Sequence, residues 1–148
     1  MQIVVDTAPS QADYDIIRAD LSAHNAARTG IAQKANPFAV LLKDEAGQTV
    51  GGLWGINVLG WLYIDMLYVP DSLRGQNLGT ALMEAAEGFS REAKLTGIWL
   101  DTFSFQARPF YEKLGFEVFG TLEDFPVGGS RYFLRKYLSK PSQSESLS

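Results

Sequence analysis

The turn that joins a strand to a helix at residues 69–80 contains the side chains best suited to bind an anion. An apolar strand at residues 61–69 leads into it, and a helical repeat begins at Leu78. The first N–H groups of a helix lack partners within the helix, and with the positive end of the helix dipole they favour a group such as pyrophosphate. The turn also offers two glycines that permit close approach, a cation and a hydroxyl: Gly75, Gly79, Arg74 and Thr80. It therefore predicts a phosphate site, the alternative being a plain glycine-containing turn.

Two common phosphate-binding motifs do not fit this turn. It lacks the Gly-Lys-Ser/Thr ending of a nucleoside-triphosphate loop. It also lacks the three glycines of the Gly-x-Gly-x-x-Gly dinucleotide pattern. The anion is therefore expected to belong to another kind of ligand.

The predicted strands and helices alternate in an order that builds the turn into a sheet. Apolar runs predict strands at residues 2–5, 38–43, 49–57, 61–69, from 98 onward, 116–122 and 131–138. Helical periodicity predicts three helices, one opened by the capping pair Ser10 and Asp13 and two at residues 78–95 and 107–114. Hairpins mixed with strand–helix–strand crossovers imply a mixed sheet with helices on its faces. We expect one domain over residues 1–138 and a disordered serine-rich tail at 139–148.

Three glycines interrupt the strand predicted at residues 49–57: Gly51, Gly52 and Gly55. A glycine inside a strand indicates a bulge or a place where another backbone approaches closely. We therefore expect this strand to be irregular.

The composition restricts the class of protein. The 148 residues carry a net charge of −4, include no cysteine and one histidine, and show no cluster of Lys and Arg. A cysteine nucleophile, disulfides and thiolate metal sites are excluded, and with a single histidine no metal site is expected. Nucleic-acid binding usually leaves a basic footprint, so no nucleic acid is expected. Because we find neither an apolar run of about 18 residues nor a secretory signal, we expect no membrane partner and a cytoplasmic location.

Two segments resemble the motifs of one enzyme superfamily. The turn contains Arg74-Gly75-Gln76-Asn77-Leu78-Gly79, which resembles the acyl-coenzyme A signature of the GNAT N-acetyltransferases, (Arg/Gln)-x-x-(Gly/Ala)-x-(Gly/Ala). Asn77 takes the place of the first small residue, and Asn is the non-glycine residue that best tolerates a left-handed backbone. Residues 107–116, Ala-Arg-Pro-Phe-Tyr-Glu-Lys-Leu-Gly-Phe, are similar to a later motif of that family, Ala-x-x-Phe-Tyr-x-(Lys/Arg)-x-Gly-Phe. The resemblance covers residues 38–138 and implies a mixed, mostly antiparallel sheet of six to seven strands flanked by three to four helices.

The resemblance implies that acetyl-coenzyme A binds along one strand and the turn. Backbone N–H groups of residues 76–80 would hold the pyrophosphate, and the backbone of Leu67 and Val69 would pair with the pantetheine arm. Many family members carry an Asn in the loop after the fifth strand, where this chain has Ser104 and Gln106. The residues expected to bind the cosubstrate are Leu67, Tyr68, Val69, Arg74, Gly75, Gln76, Asn77, Leu78, Gly79, Thr80, Ser104, Ala107, Phe110 and Lys113.

Acetyl transfer from a thioester to an amine needs a neutral amine, a stabilised oxyanion and a proton for the departing thiolate. By the resemblance, Tyr111 donates that proton; the alternative is a packing role for its ring. The main-chain amide of Leu67 or a near neighbour would polarise the carbonyl at a strand bulge, and no acyl-enzyme forms.

Two carboxylates are candidates for the base. Asp65 interrupts an otherwise apolar strand, where burial would favour the neutral form of the side chain and so let it accept a proton. It is a candidate base or a binder of the substrate amine, unless a structural partner such as an Arg satisfies it. Asp101, at the end of the next core strand, is a second candidate.

The expected activity is therefore transfer of an acetyl group from acetyl-coenzyme A to a primary amine of a small molecule. The alternatives are the same reaction on a protein amine, or a sensor that binds acyl-coenzyme A without catalysis. A homodimer is a further expectation, because dimers are common in the family.

Overall fold

The computed structural model describes residues 1–31, 34–105 and 107–139, and the chain divides into two compact units, Met1–Lys34 and Ala35–Ser148. Gln106 lies outside the described residues. So does the predicted disordered tail, apart from Ser139.

The described part of the first unit contains one helix, α1 (Gln11–Thr29), with a defined cap at each end. The Ser10 hydroxyl oxygen accepts the backbone N–H of Asp13 at 3.1 Å, which confirms the predicted cap. At the other end Gly30 adopts a left-handed conformation with φ of 70° and donates its N–H to the carbonyl of Ala26.

The strand predicted at residues 2–5 is not formed, and that prediction was wrong. These residues have no regular structure, and the Ile3 and Val5 side chains are 95% and 89% exposed. An apolar, β-branched run favours a strand, but a strand is stabilised by hydrogen bonds to a neighbour and by packing on one face. Local sequence cannot supply either of these.

The second unit is a six-stranded sheet in the order β1-β2-β3-β4-β6-β5. Its strands are β1 (Asn36–Lys43), β2 (Thr49–Val58), β3 (Trp61–Tyr68), β4 (Gly97–Phe103), β5 (Glu117–Glu123) and β6 (Ser130–Tyr137). The β3–β4 pair is parallel and the other neighbouring pairs are antiparallel. The described part of this unit also contains two α-helices, α2 (Leu78–Glu92) and α3 (Arg108–Lys113), and a short 3-10 helix at Asp71–Leu73. The mixed, mostly antiparallel fold class expected from the sequence is confirmed.

The hydrophobic core lies between the sheet and α2. Alternate residues of β3, β4 and β6 face it, as the period of two in a strand requires. The apolar face of α2 supplies the other side. The fully buried members are Leu53, Leu62, Ile64, Leu82, Met83, Ala86, Ile98, Leu100, Phe116 and Leu134.

The glycines of β2 mark close approaches between backbones, as the sequence predicts. A Cβ placed on Gly55 would overlap the carbonyl oxygen of Tyr63 in β3, and one placed on Gly52 would overlap that of Val40 in β1. The β2–β3 register also shifts between Trp54 and Gly55, which identifies a β-bulge.

The parallel strands β3 and β4 separate part of the way along the sheet. Their pairing begins at Trp61 and Gly97 and ends at Ile64 and Leu100, yet β3 continues to Tyr68 and β4 continues to Phe103. The two strand ends are therefore not joined to each other, and the edges between them are open to a ligand.

Candidate active site

A cleft of about 540 Å³ opens where β3 and β4 separate. Its walls include both strand ends and one side of α3. Six residues expected from the sequence to bind or catalyse line it: Asp65, Leu67, Arg74, Ala107, Phe110 and Tyr111. Asp101, the second candidate for the base, lines the same cleft. The fold thus brings together residues that lie as far apart in the chain as Asp65 and Tyr111.

The bulge in β3 lies at Asp65. Met66 pairs with Trp54 and Ile64 pairs with Gly55, which leaves Asp65 as the additional residue of β3. Before the bulge Ile64 faces the core, whereas after it Leu67 packs against the core. The bulge therefore exchanges the odd and even positions between the two faces of the strand.

The structure corrects the expectation that Asp65 is buried. The side chain is exposed to solvent and lines the cleft. Sequence reasoning took the whole apolar strand to be largely buried. Because Ile64 faces the core, Asp65 lies on the other face of β3, where its side chain needs no buried partner to satisfy its charge.

A second cavity of about 390 Å³ lies at the predicted phosphate turn. Leu67, Arg74 and Phe110 line both cavities, so the turn adjoins the cleft. The other predicted cosubstrate residues that line it are Val69, Gly75, Asn77, Leu78, Gly79 and Thr80. The two cavities together form a path from the turn along β3 to Tyr111.

The backbone of the turn exposes the start of α2. Asn77 is left-handed, with φ of 57° and ψ of 27°, as expected of a residue in the place of a small one. Its side chain does not cap the helix, and no acidic residue lies in the first turn of α2. The positive end of this helix therefore has no compensating charge on its own first turn. Arg74 adds a cation, although its guanidinium also pairs with Asp71 at 3.1 Å on the surface.

Tyr111 is held by aromatic packing. Its ring lies edge-to-face with Phe110 and Phe116, at centroid distances of 5.0 and 6.1 Å. Its hydroxyl forms no hydrogen bond to another described residue. Burial, and secondly the negative charge of Asp101, raise the pKa of Tyr111 to about 12. The phenol therefore keeps its proton throughout the neutral range and is able to donate it.

Asp101 is the centre of a hydrogen-bonded cluster that spans three strands. The Tyr63 hydroxyl donates to Oδ2 at 2.9 Å, while Nε and Nη2 of Arg131 donate to Oδ1 at 2.9 and 2.7 Å. The Asp101 side chain is 12% exposed. Burial, and then the hydrogen bond to Asp101, raise the pKa of Tyr63 to about 12. Sequence reasoning missed Tyr63 and Arg131, because only the strand register shows that they reach one carboxylate.

Four expected cosubstrate residues line neither of the two cavities. Tyr68 is exposed on β3, and Gln76 lies in the turn. Ser104 makes structural hydrogen bonds: its N–H donates to the carbonyl of Ser130 at 2.8 Å, and its Oγ accepts the N–H of the same residue at 3.1 Å. Lys113 lines a separate cavity, together with residues of α2 such as Glu84 and Glu87.

Two absences apply to the described residues alone. No group of three or more His, Cys, Asp and Glu side chains among them is arranged to hold a metal ion. No described helix has both the length and the apolar character needed to cross a membrane.

Comparison with known proteins identifies similar chains. The model of the acetyltransferase (GNAT) family matches residues 6–116. The acetyltransferase Atu2258 of Agrobacterium fabrum (strain C58 / ATCC 33970) is 33% identical over 134 residues, which cover 90% of this chain and 96% of the relative. The blasticidin-S acetyltransferase of Streptomyces morookaense is 34% identical over 102 residues, 68% of this chain and 75% of the relative. The crystal structure of an acetyltransferase from Bacillus cereus ATCC 14579 superposes with a TM-score of 0.81 at 30% identity and covers 93% of this chain and 98% of that one.

Proposed function

The chain belongs to the acetyltransferase (GNAT) family, and from that premise we propose that it moves the acetyl group of acetyl-coenzyme A to the primary amine of a small molecule. The observation that carries the proposal is the cleft at the separation of β3 and β4. It continues into the cavity at the phosphate turn, and Tyr111 lies on its wall.

The pyrophosphate of acetyl-coenzyme A would bind at the start of α2. The N–H groups of residues 76–80, at the start of the helix, and the guanidinium of Arg74 would supply the positive side of that interaction. The pantetheine arm would run along the unpaired edge of β3 past Val69 and Leu67, so that the thioester reaches the cleft. The adjoining position of the two cavities supports this path, since Leu67 lines both of them.

Within the cleft the proposed reaction needs one proton donor and one acceptor. The neutral amine attacks the carbonyl carbon of the thioester, so that a C–N bond forms and the C–S bond breaks. Tyr111 gives its proton to the departing sulfur, and the proton of the amine passes to the carboxylate of Asp65, directly or through water. A backbone amide at the bulge beside Leu67 polarises the carbonyl oxygen. Asp101 is the second candidate for the acceptor of the proton.

A small-molecule acceptor is favoured over a protein acceptor by one relative. The Streptomyces morookaense protein is named for acetylation of blasticidin S, and it is 34% identical to this chain. The exposed Asp65 and the carboxylate of Asp101 would attract a cationic amine into the cleft. A homodimer and a cytoplasmic location stay predictions, to be checked by the mass in solution and by cell fractionation.

The test begins with calorimetric titration of the purified protein with acetyl-coenzyme A. A thiol-release assay then follows over a panel of amines that includes nucleoside and aminoglycoside antibiotics and peptides. Micromolar binding with thiol release on a small amine supports the proposal. Release on peptides alone supports a protein acceptor, and binding without release on any amine supports a sensor.

A pair of variants tests the position of the cosubstrate. Arg74→Gln should weaken acetyl-coenzyme A binding by about 10-fold, because a charged hydrogen-bond donor to phosphate is lost. Arg91→Gln, in the last turn of α2, removes the same charge at the opposite end of the helix and should leave the affinity unchanged. Equal effects of the two changes would contradict the assignment of the turn.

A further inference from the structure

The cluster around Asp101 contains a cation that acetyl transfer does not itself require. Arg131 lies on β6, and its side chain is 25% exposed. It approaches Asp101 with two N–H groups that both reach the single oxygen Oδ1. This is the shortest described contact of the Asp101 carboxylate, at 2.7 Å.

Aromatic rings fix the position of the Arg131 guanidinium. Its central carbon lies over the ring of Phe125 at 4.8 Å from the centroid, over Phe103 at 5.2 Å and over Phe133 at 5.5 Å. A planar guanidinium stacks on such rings and still directs its N–H groups in fixed directions, whereas a lysine ammonium has no plane to stack and its three N–H groups rotate. The rings therefore hold Arg131 in one orientation towards Asp101.

Among the described residues, the hydrogen bonds to Asp101 leave one acceptor position of its carboxylate unoccupied. A carboxylate offers about four lone-pair directions, two on each oxygen. Arg131 occupies both on Oδ1, and the hydroxyl of Tyr63 occupies one on Oδ2. Since Asp101 lines the cleft beside Tyr111, the remaining direction on Oδ2 is available to a donor that enters there.

We propose that Arg131 is a positioning residue for the acceptor amine, and this rests on the proposed function. Through its two hydrogen bonds it fixes the Asp101 carboxylate in the orientation that leaves Oδ2 facing an N–H group of the acceptor. The Tyr63 hydroxyl, on β3, donates the third hydrogen bond that orients this carboxylate. Arg131 itself does not touch the reacting atoms, so its whole effect passes through Asp101.

The matched experiment compares Arg131→Lys with Arg135→Lys. Arg135 lies two residues further along β6, pairs with Glu117 at 3.2 Å and stacks over Phe119 and Tyr137, but it does not line the cleft. With an amine identified by thiol release, Arg131→Lys should lower kcat/KM for the amine by about 10- to 100-fold, the range expected when hydrogen bonds to a charged group are lost. The KM of the amine should rise, and the Kd of acetyl-coenzyme A should stay unchanged. Arg135→Lys should leave all three quantities unchanged.

A double-mutant cycle separates positioning from a structural role. In an Asp101→Asn background, Arg131→Lys should cause no further loss, because the group through which Arg131 acts has already changed. Tyr63→Phe provides a second variant that retains Arg131; it should cause a smaller loss in the same direction, again absent in the Asp101→Asn background.

Two results would overturn the inference while leaving the proposed function intact. One is an active wild-type enzyme for which Arg131→Lys has no more effect than Arg135→Lys. The other is a loss from Arg131→Lys that persists undiminished in the Asp101→Asn background. Failure of the wild-type protein to bind acetyl-coenzyme A would instead overturn the proposed function itself.

Discussion

Replacement of Tyr111 by phenylalanine tests the proposed chemistry with the smallest structural change. The substitution removes one hydroxyl that forms no hydrogen bond to a described residue, and the ring contacts with Phe110 and Phe116 remain. We therefore expect the free energy of unfolding to change by less than about 1 kcal/mol. The Kd of acetyl-coenzyme A should stay within about twofold of the wild-type value, because the phosphate turn is untouched.

Turnover should respond much more strongly than stability. If Tyr111 protonates the departing sulfur, its loss lowers kcat by about 100-fold or more, which corresponds to about 2.7 kcal/mol of activation free energy. Single-turnover thiol release at saturating acetyl-coenzyme A isolates the chemical step from product release. Tyr137→Phe, on the opposite face of the sheet from the core, is the control and should retain full activity. A Tyr111→Phe enzyme with wild-type turnover would refute the role of Tyr111 as an acid.

The pH dependence gives a second test of the same residue. The folded pKa of Tyr111, about 12, exceeds the ordinary tyrosine value of 10.0, so the folded protein retains this proton where the unfolded chain begins to lose it. The stability that this contributes is present in full below pH 10 and is lost as the pH rises towards 12. We expect kcat to show no decline from tyrosine ionisation up to about pH 10. Tyrosinate absorbance of the wild type minus that of Tyr111→Phe should show the titration, and a midpoint near the ordinary value would contradict the structure.

Three further changes test the turn, the sheet and the cleft. Asn77→Ala should lower the free energy of unfolding by about 1 kcal/mol and weaken acetyl-coenzyme A binding, because the position is left-handed. Asn77→Gly should preserve both stability and binding. Thermal melts and calorimetric titration would distinguish the two variants. Gly97→Ala should destabilise the fold by about 1–3 kcal/mol in denaturant titration, because its Cβ would lie 2.6 Å from the carbonyl oxygen of Lys136. Gly88→Ala, which meets no atom within 4 Å, is the matched control. Asp65→Asn should lower kcat/KM for the amine without a change in melting temperature, since the side chain is exposed; unchanged kinetics would exclude Asp65 as the base.

The features that the sequence predicted correctly are those whose signals lie close together in the chain. The turn that joins β3 to α2 is formed by neighbouring residues, and the left-handed Asn77 follows from its own position in that turn. The cap at Ser10 depends on a residue three positions away. The approximate helix and strand boundaries follow from periodicity, because an amphipathic element records in its own sequence which face is buried. The strand at residues 2–5 was predicted from the same kind of local signal, and it failed because pairing is not a local property.

The arrangement of the polar groups in the cleft was decided by the tertiary structure. Tyr63 and Asp101 are 38 residues apart in sequence and Arg131 lies another 30 beyond, and they meet only because β3, β4 and β6 are adjacent in a particular register. The return of Leu67 to the core side of β3 depends equally on a bulge whose partner is in β2. A shift of one residue in strand pairing would turn each of these side chains to the opposite face. The sequence therefore shows which residue types are present for the chemistry. Whether they meet in one cleft depends on the hydrogen-bond register between strands that are distant in the chain, and no local pattern specifies that register.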